Sequence, residues 1–144
     1  MKKFQFRLES VLKVRGIHRK QAERDLAIAQ TRVTRTRQAL EETQQDYQHS
    51  FLTPADPRIN PHFWRQTAEH YREGLRQREA ELTEQLAKQE KALEQQRENL
   101  ALRMKEEKAM EKLKEGRRAG HQAEVDAQFQ KEIEELDLLK RGKR

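Results

Sequence analysis

The sequence predicts an all-α fold, a long antiparallel two-helix coiled-coil hairpin whose C-terminal helix overhangs its partner. Three observations carry that expectation. Of 144 residues, 39% are charged and only 33% hydrophobic, too little apolar material for a globular core of ordinary thickness. The dominant residues are the strong helix formers Ala, Glu, Gln, Lys, Arg and Leu, with charges mixed in sign. Apolar residues recur every seven positions on two columns offset by three, as an a/d seam requires.

In the first predicted helix, residues 5–50, Leu12, Leu26, Val33, Leu40 and Tyr47 form one column and Leu8, Ala22, Ala29, Thr36 and Thr43 the other. Pro54, Pro57 and Pro61 then interrupt the chain, and proline lacks the amide donor that a helix interior needs. Residues 51–60 are therefore the turn. Asn60 before Pro61 reads as an N-cap followed by proline at the first helical position, which starts the second helix there. That helix, residues 61–140, repeats the stripe with Leu86, Leu93 and Leu100 on one column and Ala68, Leu75, Leu82 and Met110 on the other. The chain is thus a single coiled-coil domain.

A fold-back centred on the prolines pairs residues whose numbers add to about 115. Leu40 then meets Leu75, Val33 meets Leu82, Ala29 meets Leu86, Ala22 meets Leu93 and Tyr47 meets Ala68. Thr36 opposes Glu79, Thr43 opposes Arg72 and Arg19 opposes Gln96, layers with little apolar area. With the seam closed inside one chain, the protein is expected to be a monomer on its own. At 1.5 Å per residue the helices would run roughly 70 and 120 Å, so the second overhangs. Gly116 and Gly120 weaken it over residues 116–120. Beyond them Phe129, Ile133 and Leu136 make an apolar stripe. That stripe either lies along Phe4 and Phe6 or awaits another protein.

Charge is distributed unevenly. Residues 1–40 hold 11 Lys/Arg against 3 Asp/Glu, residues 41–100 hold 8 against 12, and residues 101–144 hold 12 against 10. The basic end, with Lys2, Lys3, Arg7, Lys13, Arg15, Arg19 and Lys20, has the electrostatics to meet phosphates or an acidic protein. Without base-stacking aromatics beside it, a nucleic-acid-binding coiled coil ranks below a protein partner. Five of the eight aromatic residues, Tyr47, Phe51, Phe63, Trp64 and Tyr71, lie near the turn. They either cap the loop and are buried by it or form an exposed patch.

Nothing points to catalysis. There is no phosphate loop, no His-Glu-x-x-His and no cysteine. The five histidines are scattered, Asp46 and His49 at i, i+3 read as ordinary surface, and carboxylates such as Glu134 and Glu135 sit on a solvated helix. No enzyme activity, cofactor or metal is expected. The apolar run that a secretory leader needs is broken by Gln5, Arg7 and Glu9. No stretch approaches the length of a membrane span, so a cytoplasmic protein without direct membrane insertion is expected.

The opening Phe4-Gln5-Phe6-Arg7-Leu8-Glu9-Ser10-Val11-Leu12-Lys13-Val14-Arg15 resembles the start of the flagellar export protein FliJ family, whose members often begin Phe-x-Phe-Arg-Leu-x-x-Leu-Leu-x-x-Arg. Glu111-Lys112-Leu113-Lys114-Glu115-Gly116-Arg117-Arg118 is similar to that family's Glu-Lys-Leu-Lys-Glu-Lys-Arg-Arg element, with glycine where lysine is common. The resemblance implies a non-enzymatic stalk and coupling protein of the bacterial flagellar type III export apparatus, peripherally associated with the flagellar base at the inner membrane. Its terminal end would enter the export ATPase ring, with Arg7, Lys13, Arg15, Arg19, Arg117 and Arg118 as the contact residues. Its hairpin side would bind the cytoplasmic domain of the export gate FlhA through Leu40, Tyr47, Trp64, Tyr71 and Leu75, and export chaperones are further partners. The equivalent stalk of an injectisome-type secretion system and a purely structural coiled coil stand as alternatives.

Overall fold

The computed structural model describes residues 3–143. Of the basic residues singled out above, Lys2 lies outside that range. Two helices pack antiparallel, α1 (Glu9–Ser50) and α2 (Pro61–Gly142), and no strand occurs among the described residues. The predicted boundary at Pro61 holds for the predicted reason. Asn60 Oδ1 accepts a hydrogen bond from the His62 amide at 2.9 Å, which satisfies one of the orphan donors of the first turn. Gly116 and Gly120 do not interrupt α2, which runs on through them to Gly142.

The first helix starts later than expected, at Glu9 rather than residue 5. Residues 3–6 precede the helix without regular secondary structure. Within them Phe4 is half-buried and Phe6 is buried.

The chain divides into two compact units, Ala22–Leu100 and Met1–Gln21 with Ala101–Arg144. In the first unit the core is a thin seam of Ala22, Val33, Leu82 and Leu93, with Thr36 and Thr43 buried among them. Both threonines are satisfied. Thr36 Oγ1 donates to Gln89 Oε1 at 2.6 Å and Thr43 Oγ1 donates to the Ala39 carbonyl at 2.8 Å. Such pairing removes the desolvation penalty that a buried hydroxyl otherwise carries.

These contacts correct the register. Arg72 bonds Ser50, Arg76 bonds Tyr47, Gln44 bonds Glu79, Thr36 bonds Gln89 and Arg37 bonds Glu90. Partner numbers therefore add to between 122 and 127, about one heptad beyond the expected 115. A slide of one heptad leaves both a/d columns intact, so the apolar pattern alone cannot choose between the two registers. The polar layers choose. In the observed register Thr36 meets an amide that accepts its proton instead of opposing Glu79. Arg72 reaches the end of α1 instead of facing Thr43, and Tyr47 meets Arg76 instead of Ala68.

The second unit is held differently. Phe6 and Met110 are its buried apolar residues among those described, and polar links do much of the rest. Arg15 Nη1 donates to the Glu106 carbonyl at 3.0 Å, Arg19 pairs with Glu107 and Lys114 pairs with Glu9 at 2.8 Å. Arg19 therefore does not oppose Gln96. Gly16 lies beside the Glu107 carboxylate, where an added Cβ would come within 3.4 Å of Oε1.

Candidate interaction surfaces

The tip of the Ala22–Leu100 unit is built around the end of α1. The last carbonyls of a helix lack intrahelical partners. Arg72 supplies one, donating from Nη2 to the Ser50 carbonyl and from Nε to Ser50 Oγ, both at 3.1 Å. Its guanidinium also lies 4.1 Å from the centre of the Phe51 ring, a favourable cation–π placement. Phe51 meets Tyr47 edge-on at 5.1 Å between centroids. Arg76 closes the group, donating from Nη2 to the Tyr47 hydroxyl at 2.8 Å. That hydrogen bond, with the electrostatic attraction of the Tyr47 oxygen, raises the Arg76 pKa above its ordinary value.

Because Ser50 already faces Arg72, the first turns of α2 run past the end of α1, and only the loop covers them. The aromatic residues accordingly divide. Tyr47 and Trp64 are half-buried, while Phe51, Phe63 and Tyr71 are 56%, 61% and 52% exposed. On one side of α2, Trp64 and Tyr71 line a recess of about 210 Å³ together with Ser50, Thr53, Thr67 and Ala68. On the other side Phe51 and Phe63 border a wider, polar groove containing His70, Arg72 and Arg76. Of the residues expected here from sequence, Trp64 and Tyr71 share one recess, Tyr47 belongs to the Arg76 cluster, and Leu40 and Leu75 are half-buried seam residues. Arg72 and Arg76 were not among them. The signal that points to them is Tyr47 on a seam column, since a phenol held against a partner helix needs a hydrogen-bonding neighbour.

In the Met1–Gln21 and Ala101–Arg144 unit, the six basic residues expected to act together separate into two groups. Arg15 and Arg19 are half-buried and bonded to Glu106 and Glu107 of α2. Arg7, Lys13 and Arg118 are exposed and have no ion-pair partner among the described residues. Arg117 is exposed with its guanidinium 5.8 Å from the Phe6 ring centre, and Phe4 stacks at a tilt on His121 at 5.6 Å. The apolar stripe of residues 129–136 does not lie along Phe4 and Phe6, which pack at Arg117 and His121 instead.

No group of His, Cys, Asp or Glu suited to a metal ion occurs among the described residues. No described helix is long and apolar enough to cross a membrane.

Comparison with protein families gives a match. The family model described as Flagellar FliJ protein fits residues 4–140. Neither the curated proteins nor the solved structures give a match.

Proposed function

Since the chain belongs to the flagellar FliJ protein family, we propose that it is a non-enzymatic stalk and coupling component of the flagellar export apparatus with two separate protein-binding surfaces. The tip engages the cytoplasmic domain of the export gate FlhA, and the terminal unit engages the export ATPase ring. Export chaperones are further partners of the same protein, which works in the cytoplasm at the flagellar base.

The observation that carries the reading is the exposed aromatic tip. Tyrosine and tryptophan dominate binding hot spots because they cover large areas with little rotamer entropy to lose. Trp64 and Tyr71 frame a recess that α1 does not fill. Tyr47 is the less suitable anchor, because its ring and hydroxyl already hold the end of α1 through Phe51 and Arg76. For the ATPase contact, Arg7, Lys13 and Arg118 are the residues with charge to offer, whereas Arg15 and Arg19 are engaged within the chain.

The test is gate-domain binding measured beside thermal unfolding. Trp64→Ala and Tyr71→Ala together should remove more than ~2 kcal/mol of affinity and leave the unfolding midpoint nearly unchanged. Retained affinity would remove the tip from the gate contact.

A further inference from the structure

The C-terminal part of α2 has no helix of this chain beside it. From Asp126 to Lys143 every residue is exposed, including Phe129 at 56%, Ile133 at 40% and Leu136 at 57%. Spaced at i, i+4 and i+7, these three lie on one face of the helix. Isolated apolar side chains on a surface need no explanation, whereas a contiguous stripe marks an interface.

We propose that this stripe pairs antiparallel with the same stripe of a second copy of the chain, in a register that sets Ile133 against Leu136 of the other copy. The charge pattern selects both the occupant and the direction. The stripe continues at coiled-coil spacing to Asp126 on one side and to Lys140 on the other, with Lys143 just past the end of α2. Antiparallel pairing of two identical stripes is isologous. It brings Ile133 to Leu136, Phe129 to the aliphatic stem and ammonium of Lys140, and Asp126 to Lys143, each twice. No seam position opposes a like charge, and the acidic run of residues 132–137 flanks the seam beside its own copy across the two-fold axis. Parallel pairing would set Asp126 against Asp126 and Lys140 against Lys140 in the seam, and like charges at close range are disfavoured. A partner of uniform charge is disfavoured for the same reason, because the stripe is acidic at one end and basic at the other. The pairing is modest in size, so the protein should be monomeric when dilute and dimeric when concentrated. It does not depend on the proposed export role.

The full-length chain tests this directly. In sedimentation equilibrium the mass should rise from 17.3 kDa toward twice that value between micromolar and millimolar concentration. Ile133→Asp should weaken dimerisation at least ~10-fold, as expected when an apolar contact made twice is lost. Asp126→Lys and Lys143→Asp should each weaken it severalfold, and the double variant should recover it. Register is read separately, because the chain contains no cysteine. A mixture of Ile133→Cys and Leu136→Cys chains should form the mixed disulfide faster than either chain forms its own. A mass that stays at the monomer value at millimolar concentration would overturn the proposal and leave the stripe to a different protein. Dimers in which the two single-cysteine chains each cross-link preferentially to themselves would overturn the antiparallel register.

Discussion

The two units of this hairpin share helices and heptads but are held by different forces. In Ala22–Leu100 the seam is apolar, with Val33, Leu82 and Leu93 buried and two threonines fully bonded within it. In the terminal unit the cross-helix links are largely charged: Arg15 with the Glu106 carbonyl, Arg19 with Glu107 and Lys114 with Glu9. The difference teaches that an antiparallel pair can be held by an apolar seam in one stretch, with polar pairs such as Thr36 and Gln89 setting its register, and chiefly by directed polar contacts in another. Apolar burial is insensitive to moderate salt, whereas half-exposed ion pairs are screened.

The largest effect expected from this contrast is at Leu82, which is 3% exposed. Leu82→Ala should cost about 2–4 kcal/mol in denaturant unfolding, and the loss should be the same at low and high salt. A loss under 1 kcal/mol would mean that the seam there is loosely packed. A smaller effect belongs to the charged unit. Arg19→Gln should cost about 1 kcal/mol. Unlike the Leu82 loss, that cost should shrink as salt rises, and amide exchange should show faster opening around residues 9–19 and 106–114. If high salt leaves the cost unchanged, Arg19 contributes packing rather than charge.

The smallest effect is a gain. A Cβ added at Gly116 or Gly120 meets nothing within 4 Å, so alanine at either site should stabilise α2 locally by about 0.5–1 kcal/mol. Exchange protection of the amides around residues 113–123 measures it. No increase there would mean that the glycines do not limit the local stability of the helix.

Much of this was readable from sequence, and particular residues show where reading stopped. Asn60 and Pro61 marked the start of α2 because a cap and an N1 proline are local chemistry. The seam was visible in Val33 and Leu82, which are both buried, yet they do not face each other. Periodicity is blind to a slide by its own period, and the register follows from side-chain pairs such as Thr36 with Gln89 and Ser50 with Arg72. Their geometry is known only once the helices are packed. At the amino terminus the helix begins at Glu9 rather than residue 5, with Phe4 and Phe6 packed at His121 and Arg117 instead of continuing the helical pattern. The aromatic tip was located correctly but not its division into half-buried and exposed rings, which depends on how far α2 runs beyond the end of α1. Among the basic residues, composition alone does not separate Arg15 and Arg19, which are tied to α2, from Arg7, Lys13 and Arg118, which are not.

That α2 runs beyond α1 and leaves Trp64 and Tyr71 available, while a separate basic surface serves the ATPase, is the central claim. The most direct measurement assays both partners in parallel on two full-length variants, Trp64→Ala with Tyr71→Ala, and Arg7→Glu with Lys13→Glu and Arg118→Glu. The first should lose gate binding by more than ~10-fold and still stimulate the export ATPase. The second should lose stimulation, with wild-type activation also weakening as salt rises, and still bind the gate. Loss of both activities in either variant, with helicity unchanged, would contradict two separable surfaces.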